Sequence, residues 1–401
     1  MLKQSINKRG LRRKRNKTIK NKIKTRLAKG LGLSIFLKNN TPNDIGELSQ
    51  QINTDLNNLG SSISSYSPSI NKALVSLKSI SKQPLLSCNI EKAFSMKNDE
   101  PLEISVNDNC YPYSSEIAKE FLLKNLSANK HIDAKNIITP IQSLGNCWFN
   151  TMFVTLFVSD KGRKFFHFFR QLMIKGKKAD GKSISKDLKN GFALLNYAID
   201  ACLQGNQFAY KMDTNTIIKD IYKNIPTQFK DKLSYITNIK EAGNPIRYYG
   251  SLMLYLQEKS IQLMFVESCN KTWKEQLLNK LKNDQDHGHS PHVIVLEFFD
   301  DASKVVTNKP TQFSLANGSR YALDSCVVRN TMGHHFCSLL TCEQKEYAYD
   351  GMSFHRLVPL AWKKQINKEF TWQFEGSTDA DDKLLEWDFR SGYQMLVYYH
   401  V

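Results

Sequence analysis

The apolar residues of this chain change period once, and that change restricts what it can fold into. Up to Gln257 they recur at steps of three and four, in Ile141–Val158, Arg163–Ile174, Asp187–Leu203 and Asn244–Gln257, the spacing that lines one face of a helix. From Ile261 the step falls to two and β-branched and aromatic residues take over. Gln262–Glu267, His292–Phe299, Tyr321–Val328, His335–Thr341, Tyr347–Tyr349 and Tyr393–Tyr399 read as strands. Helices followed by strands predict an α+β domain, a helical subdomain packed on a mainly antiparallel sheet, over residues 135–401.

The rest of the 401 residues is organised differently. Residues 1–30 hold thirteen of the 56 Lys and Arg and no Asp or Glu; elsewhere 43 basic side chains face 38 acidic ones, so the net charge of +18 belongs largely to this arm. Such a run is expected to be disordered and to bind nucleic acid or another anionic surface, or to be read as a nuclear address, with a solvated tail as the competing reading. Residues 31–134 are expected to form an amphipathic helical segment, with Ile45, Leu48, Ile52, Leu56 and their successors to Leu77 on one face. A linker over Lys82–Ile132 follows, ending in a short helix around Ser115–Leu126.

Several classes of function find no support. No run of eighteen apolar residues suggests a membrane span, and no phosphate-cradling glycine loop suggests a nucleotide cofactor. Eight cysteines without a CxxC pair favour free thiols in a reducing compartment over a disulfide framework or a zinc ribbon. The run HGHSPH at His287–His292 lacks the companion ligands of a metal site and reads as a solvated loop. Neither metal nor cofactor is expected.

Within Ile141–Val158, IQSLGNCWFNTMFVTLFV, a Gly-containing turn delivers Cys147 to the first turn of an apolar helix, where free N–H groups and the macrodipole favour a thiolate. Gln142, five residues earlier, is placed to aim a side-chain amide at an oxygen that gains charge near the sulfur. That is the layout of a thiol nucleophile with an oxyanion hole. A buried structural cysteine beside a turn glutamine is the competing reading of this stretch alone. A nucleophile needs a base, and the base an orienting acceptor. MGHHFCSLLTCEQKEYAYDG offers both on one hairpin: His335 opens the first strand, EQKE turns, and Asp350 closes the return. A structural histidine and a turn aspartate are the alternatives for each taken singly.

Four stretches in this order resemble the ubiquitin-specific protease family of papain-like cysteine peptidases. QSLGNCWFN stands where that family has roughly NLGNTCYMN, and YALDSCVVRNTMGHHFCSLL follows its histidine box with a shortened loop. HVIVLEFF is similar to its strand ending in KRF, and GYQMLVYY to its terminal AYxLxY strand. The resemblance spans about Ile138–Val401. It implies a papain-like cysteine peptidase fold with Cys147 as nucleophile, His335 as general base, Asp350 as its orienting carboxylate and Gln142 as the oxyanion amide. His334 is the alternative base; Phe336 fills the aromatic slot after the family's histidine and favours His335. Gln142 replaces the usual Asn, the threonine before the nucleophile is missing, and GNPIRYYGSLMLYL at Gly243–Leu256 lacks the acidic residues of the family's QDAxEF helix.

The implied activity is a thiol-dependent hydrolysis of the peptide or isopeptide bond after the C-terminus of ubiquitin or a ubiquitin-like modifier, in the cytoplasm or nucleus. The alternatives are a processing cysteine endopeptidase, such as a virus encodes and carries in host cell or virion, and an inactive peptidase fold whose basic arm binds nucleic acid.

Overall fold

The computed structural model describes residues 84–401 except 98–99, 129–131, 231–238, 240–242, 257–262, 269–272, 284–289, 299–308 and 331–334. The basic arm 1–30 and the amphipathic segment at residues 44–77 lie outside the described residues, as do His334, His287 and His289.

The molecule is α+β. Its main sheet has eight strands. Seven run in the order β10 (Leu357–Pro359), β9 (Lys345–Tyr349), β8 (Phe336–Cys342), β7 (Arg320–Arg329), β13 (Gln394–His400), β5 (Val293–Phe298) and β4 (Leu263–Ser268), and β6 (Gln312–Ser314) pairs with β7. Every pairing in this sheet is antiparallel except the one between β4 and β5. Strand β5, VIVLEF, is buried at every position because both faces of the sheet are covered. Val293 and Val295 face the helices, while Ile294, Leu296 and Phe298 join a second core beneath the two-stranded ribbon of β11 (Thr371–Thr378) and β12 (Leu384–Asp388). That ribbon alternates buried Trp372 and Phe374 with exposed neighbours, a period-two pattern that sequence reading passed over.

The helical layer comprises α1 (Ile90–Ala93), α2 (Glu116–Ala128), α3 (Cys147–Phe157), α4 (Asp160–Phe165), α5 (His167–Lys175), α6 (Lys186–Gln204), α7 (Asn215–Asn224) and α8 (Pro245–Leu256); α9 (Trp273–Asn283) packs on the other face through Trp273 and Leu277. All eleven residues of α3 are buried, the polar Asn150, Thr151 and Thr155 included, so it is a core helix covered all round rather than a one-faced one. The expected single helix over Arg163–Ile174 is two, α4 and α5, joined at Phe166.

Two expectations are corrected here. The segment read as a linker carries β1 (Leu86–Ser87), β2 (Glu103–Val106) and β3 (Asn109–Pro112) as a small antiparallel sheet before α2, and Leu85, Phe94, Leu102, Ile104 and Leu122 enter the main core. Its strands are too short to leave a periodicity. The small sheet also brings Cys88 and Cys110 to a Cα separation of 6.0 Å, where they form a disulfide, against the reading that the cysteines are free thiols. Cys147, Cys202, Cys326, Cys337 and Cys342 are free.

Candidate active site

Cys147 is the first residue of α3, and the last residue before it, Asn146, leaves the helix geometry at φ −93°, ψ 9°. At this terminus the first N–H groups have no partner within the helix. The loop before it is tight: Leu144 adopts φ 57°, and the N–H of Gln142 donates to the carbonyl of Gly351 at 2.9 Å. A Cβ on Gly351 would stand 2.9 Å from that same nitrogen, so glycine is required for the two loops to meet.

The hairpin β8–β9 supplies the other half. Its turn places Glu343 and Gln344 at φ 47° and 62°, and their N–H groups donate to the two carboxylate oxygens of Asp160 at 2.8 and 3.0 Å. Arg163 donates to Glu343 at 2.7 Å from the same helix, so α4 grips the far end of the hairpin. At the near end, Asn330 fixes the backbone of His335 twice, accepting from its N–H at 3.0 Å and donating to its carbonyl at 2.8 Å.

The side chains then meet. Nε2 of His335 lies 2.6 Å from Oδ1 of Asp350, which also accepts the N–H of Met352 at 3.1 Å. Cys147 is the other group whose interaction with the imidazole raises the ring's pKa. Nε2 being held by the carboxylate, Nδ1 is the nitrogen that serves the sulfur. His335 is 4 % exposed, Asp350 0 % and Cys147 9 %, so the cysteine is the most accessible residue of the three. The indole of Trp387, on the ribbon, covers the imidazole with ring centroids 5.7 Å apart. Burial pulls the His335 imidazole towards neutrality, but its hydrogen bond to Asp350, its interaction with Cys147 and the charges of both outweigh it and raise the pKa to about 9.

Cys147, His335 and Asp350 are thus brought together from chain segments almost two hundred residues apart. Gln142 sits in the same loop as the thiol, but its Nε2 donates to the Leu144 carbonyl at 3.4 Å.

Sequence reading missed a second ring of residues. Asn146 donates through Nδ2 to the Thr214 hydroxyl at 2.8 Å, and that hydroxyl donates to Oδ1 of Asn150 at 2.6 Å. Asn150 donates to the Ile141 carbonyl at 3.0 Å, and Asn215 to the Ser143 carbonyl at 2.7 Å. Asp213 accepts from the Ser143 hydroxyl at 2.7 Å. These are common polar residues of loops and helix starts, and no local signal marks contacts made across some seventy positions.

Among the described residues no group of three or more His, Cys, Asp or Glu could hold a metal, and no helix is long and apolar enough to cross a membrane.

No family model matches this chain and no curated protein sequence matches it. Among solved structures it is similar to a chain of the SAGA Ubp8/Sgf11/Sus1/Sgf73 DUB module bound to ubiquitin aldehyde, with a TM-score of 0.38 and 10% identity over 75% of this chain and 81% of that one. It is similar also to a chain of the Ubp8-Sgf11-Sgf73-Sus1 SAGA DUB module, with a TM-score of 0.39 and 9% identity over 73% of this chain and 76% of that one. Likeness this loose leaves function to be read from the residues of the site.

Proposed function

We propose that this chain is a cysteine-type peptidase of papain-like architecture that cleaves the peptide or isopeptide bond after the C-terminus of ubiquitin or a ubiquitin-like modifier. The observation that carries the chemistry is the 2.6 Å hydrogen bond between Asp350 and His335, with Cys147, first residue of α3, interacting with the same imidazole. The modifier is suggested by the resemblance of the cysteine and histidine boxes.

In this reading Asp350 holds the imidazole so that one nitrogen faces the sulfur and stabilises the ring once it is charged. His335 takes the thiol proton and, with a pKa near 9, keeps it at neutral pH. The sulfur of Cys147 attacks the carbonyl, and the oxygen that gains charge is met by N–H groups of the first turn of α3, with the Gln142 amide as a second donor once it leaves Leu144. His335 passes its proton to the departing amine and the carbonyl is left as a thioester on Cys147. Water, deprotonated by His335, then releases the acid and restores the thiol.

The test is a ubiquitin derivative carrying a thiol-reactive C-terminus. Wild-type protein is expected to form a covalent adduct one ubiquitin heavier, and Cys147→Ala none, with hydrolysis of a ubiquitin C-terminal amide falling to background. An intact, folded protein that alkylates with iodoacetamide at Cys147 but ignores ubiquitin probes would remove the modifier and favour the processing endopeptidase.

A further inference from the structure

Asparagine is among the residues most often found capping a helix, its side-chain oxygen accepting an N–H of the first turn. Asn146 occupies that position on α3 and does not do so. Its amide is turned away from the helix, Nδ2 donating to the hydroxyl of Thr214 at 2.8 Å and Oδ1 accepting the N–H of Ser143 at 3.1 Å. Thr214 is wholly buried, as are Asn146 and Asn150, and its one proton is committed to Asn150 at 2.6 Å, so the hydroxyl receives Asn146 through a lone pair. The Phe149 N–H is taken by the Asn146 carbonyl at 3.1 Å, and the Trp148 N–H, which the Asn146 side chain would otherwise cover, is left open in the first turn beside Cys147.

We infer that Thr214 is a positioning residue: by holding the Asn146 side chain off the end of α3 it keeps the Trp148 N–H of the first turn free to receive the oxyanion. The inference rests on the proposed peptidase reaction and extends it to a residue that touches neither substrate nor sulfur. Without the hydroxyl, Asn146 keeps only the Ser143 contact, and its Oδ1 exchanges that N–H for one of its own helix, capping it. The helix gains a cap while the reaction loses that donor.

The test compares Thr214→Val, Thr214→Ser and Asn146→Ala, singly and with Thr214→Val in the Asn146→Ala background, using a ubiquitin C-terminal amide substrate. In Thr214→Val, kcat is expected to fall on the order of 10-fold to 100-fold with KM little changed. Alkylation of Cys147 by iodoacetamide, which forms no oxyanion, continues at the wild-type rate. Thr214→Ser, which keeps the hydroxyl, retains most of kcat. Adding Thr214→Val to Asn146→Ala lowers kcat no further, because no side chain remains to swing; a merely structural Thr214 would predict the same loss in both backgrounds. Undiminished kcat in Thr214→Val, or a full loss that persists without Asn146, overturns the inference while the peptidase reading stands. A wild-type protein without hydrolysis overturns both. Should Thr214→Val not fold, Thr214→Ala deletes the same hydroxyl, and failure of both to fold assigns Thr214 to structure alone.

Discussion

At the scale of single residues, His335 sets how the site responds to pH. Its folded pKa, about 9, lies above the ordinary 6.5, so the charged ring is favoured by folding. The resulting stability is fully present below pH 6.5 and is lost as pH rises through about 9. The difference in urea midpoint between wild type and His335→Gln is therefore expected to shrink between pH 6 and pH 10. Taking the difference separates this effect from Lys309, whose ammonium is pushed down to about 8 by burial and acts in the opposite direction. In kinetics the same group predicts kcat/KM falling above about pH 9 as the imidazole loses the proton owed to the leaving amine. Asp350→Asn removes the charge that orients the ring, and kcat is expected to drop by on the order of 10²-fold to 10⁴-fold with the fold intact by circular dichroism. The meeting of Cys147, His335 and Asp350 was legible in the sequence because the proposed nucleophile, base and carboxylate must be these residue types. Thr214 was not, since a buried hydroxyl that steers a neighbour's amide looks like any other threonine.

At the scale of elements, the site depends on two loops meeting and on a hairpin held at both ends. Gly351→Ala would place a methyl 2.9 Å from the Gln142 nitrogen and 3.0 Å from the Tyr349 hydroxyl. The loops must part, and kcat/KM is expected to fall at least 10-fold while the melting temperature drops by only a few degrees, about 1–3 kcal/mol of overpacking. At the other end of the hairpin, Gln344 sits at φ 62°, a region that disfavours a side chain. Gln344→Gly is expected to stabilise by about 0.5–1 kcal/mol in thermal melts and leave hydrolysis unchanged; a loss of stability would show that the side chain, not only the backbone, is used in the turn. The β8–β9 hairpin was legible from two short apolar and aromatic stretches on either side of EQKE. The break between α4 and α5 was not, because the rings on either side, Phe165, Phe168 and Phe169, keep the helical spacing through Phe166.

At the scale of the whole molecule, the sheet is a partition buried on both sides, with α3 against one face and the aromatic ribbon against the other. The order of helices before strands made the class legible. The short helix expected around Ser115–Leu126 is α2, and what escaped was residues 84–112, whose strands are two to four residues long and whose apolar side chains enter the core singly. Those residues carry the Cys88–Cys110 bond, with both cysteines exposed, while the candidate nucleophile is itself a thiol. The two sulfur chemistries make opposite demands on their surroundings. A milieu reducing enough to protect the nucleophile from oxidation attacks the accessible cross-link first, and one oxidising enough to preserve the cross-link threatens the nucleophile. Titration with dithiothreitol should therefore separate the two properties: a melting temperature that declines as the bond opens, by about 3 kcal/mol for a loop of 22 residues, and a specific activity that climbs over the same range. The optimum for keeping this protein both whole and working is a narrow window of thiol concentration.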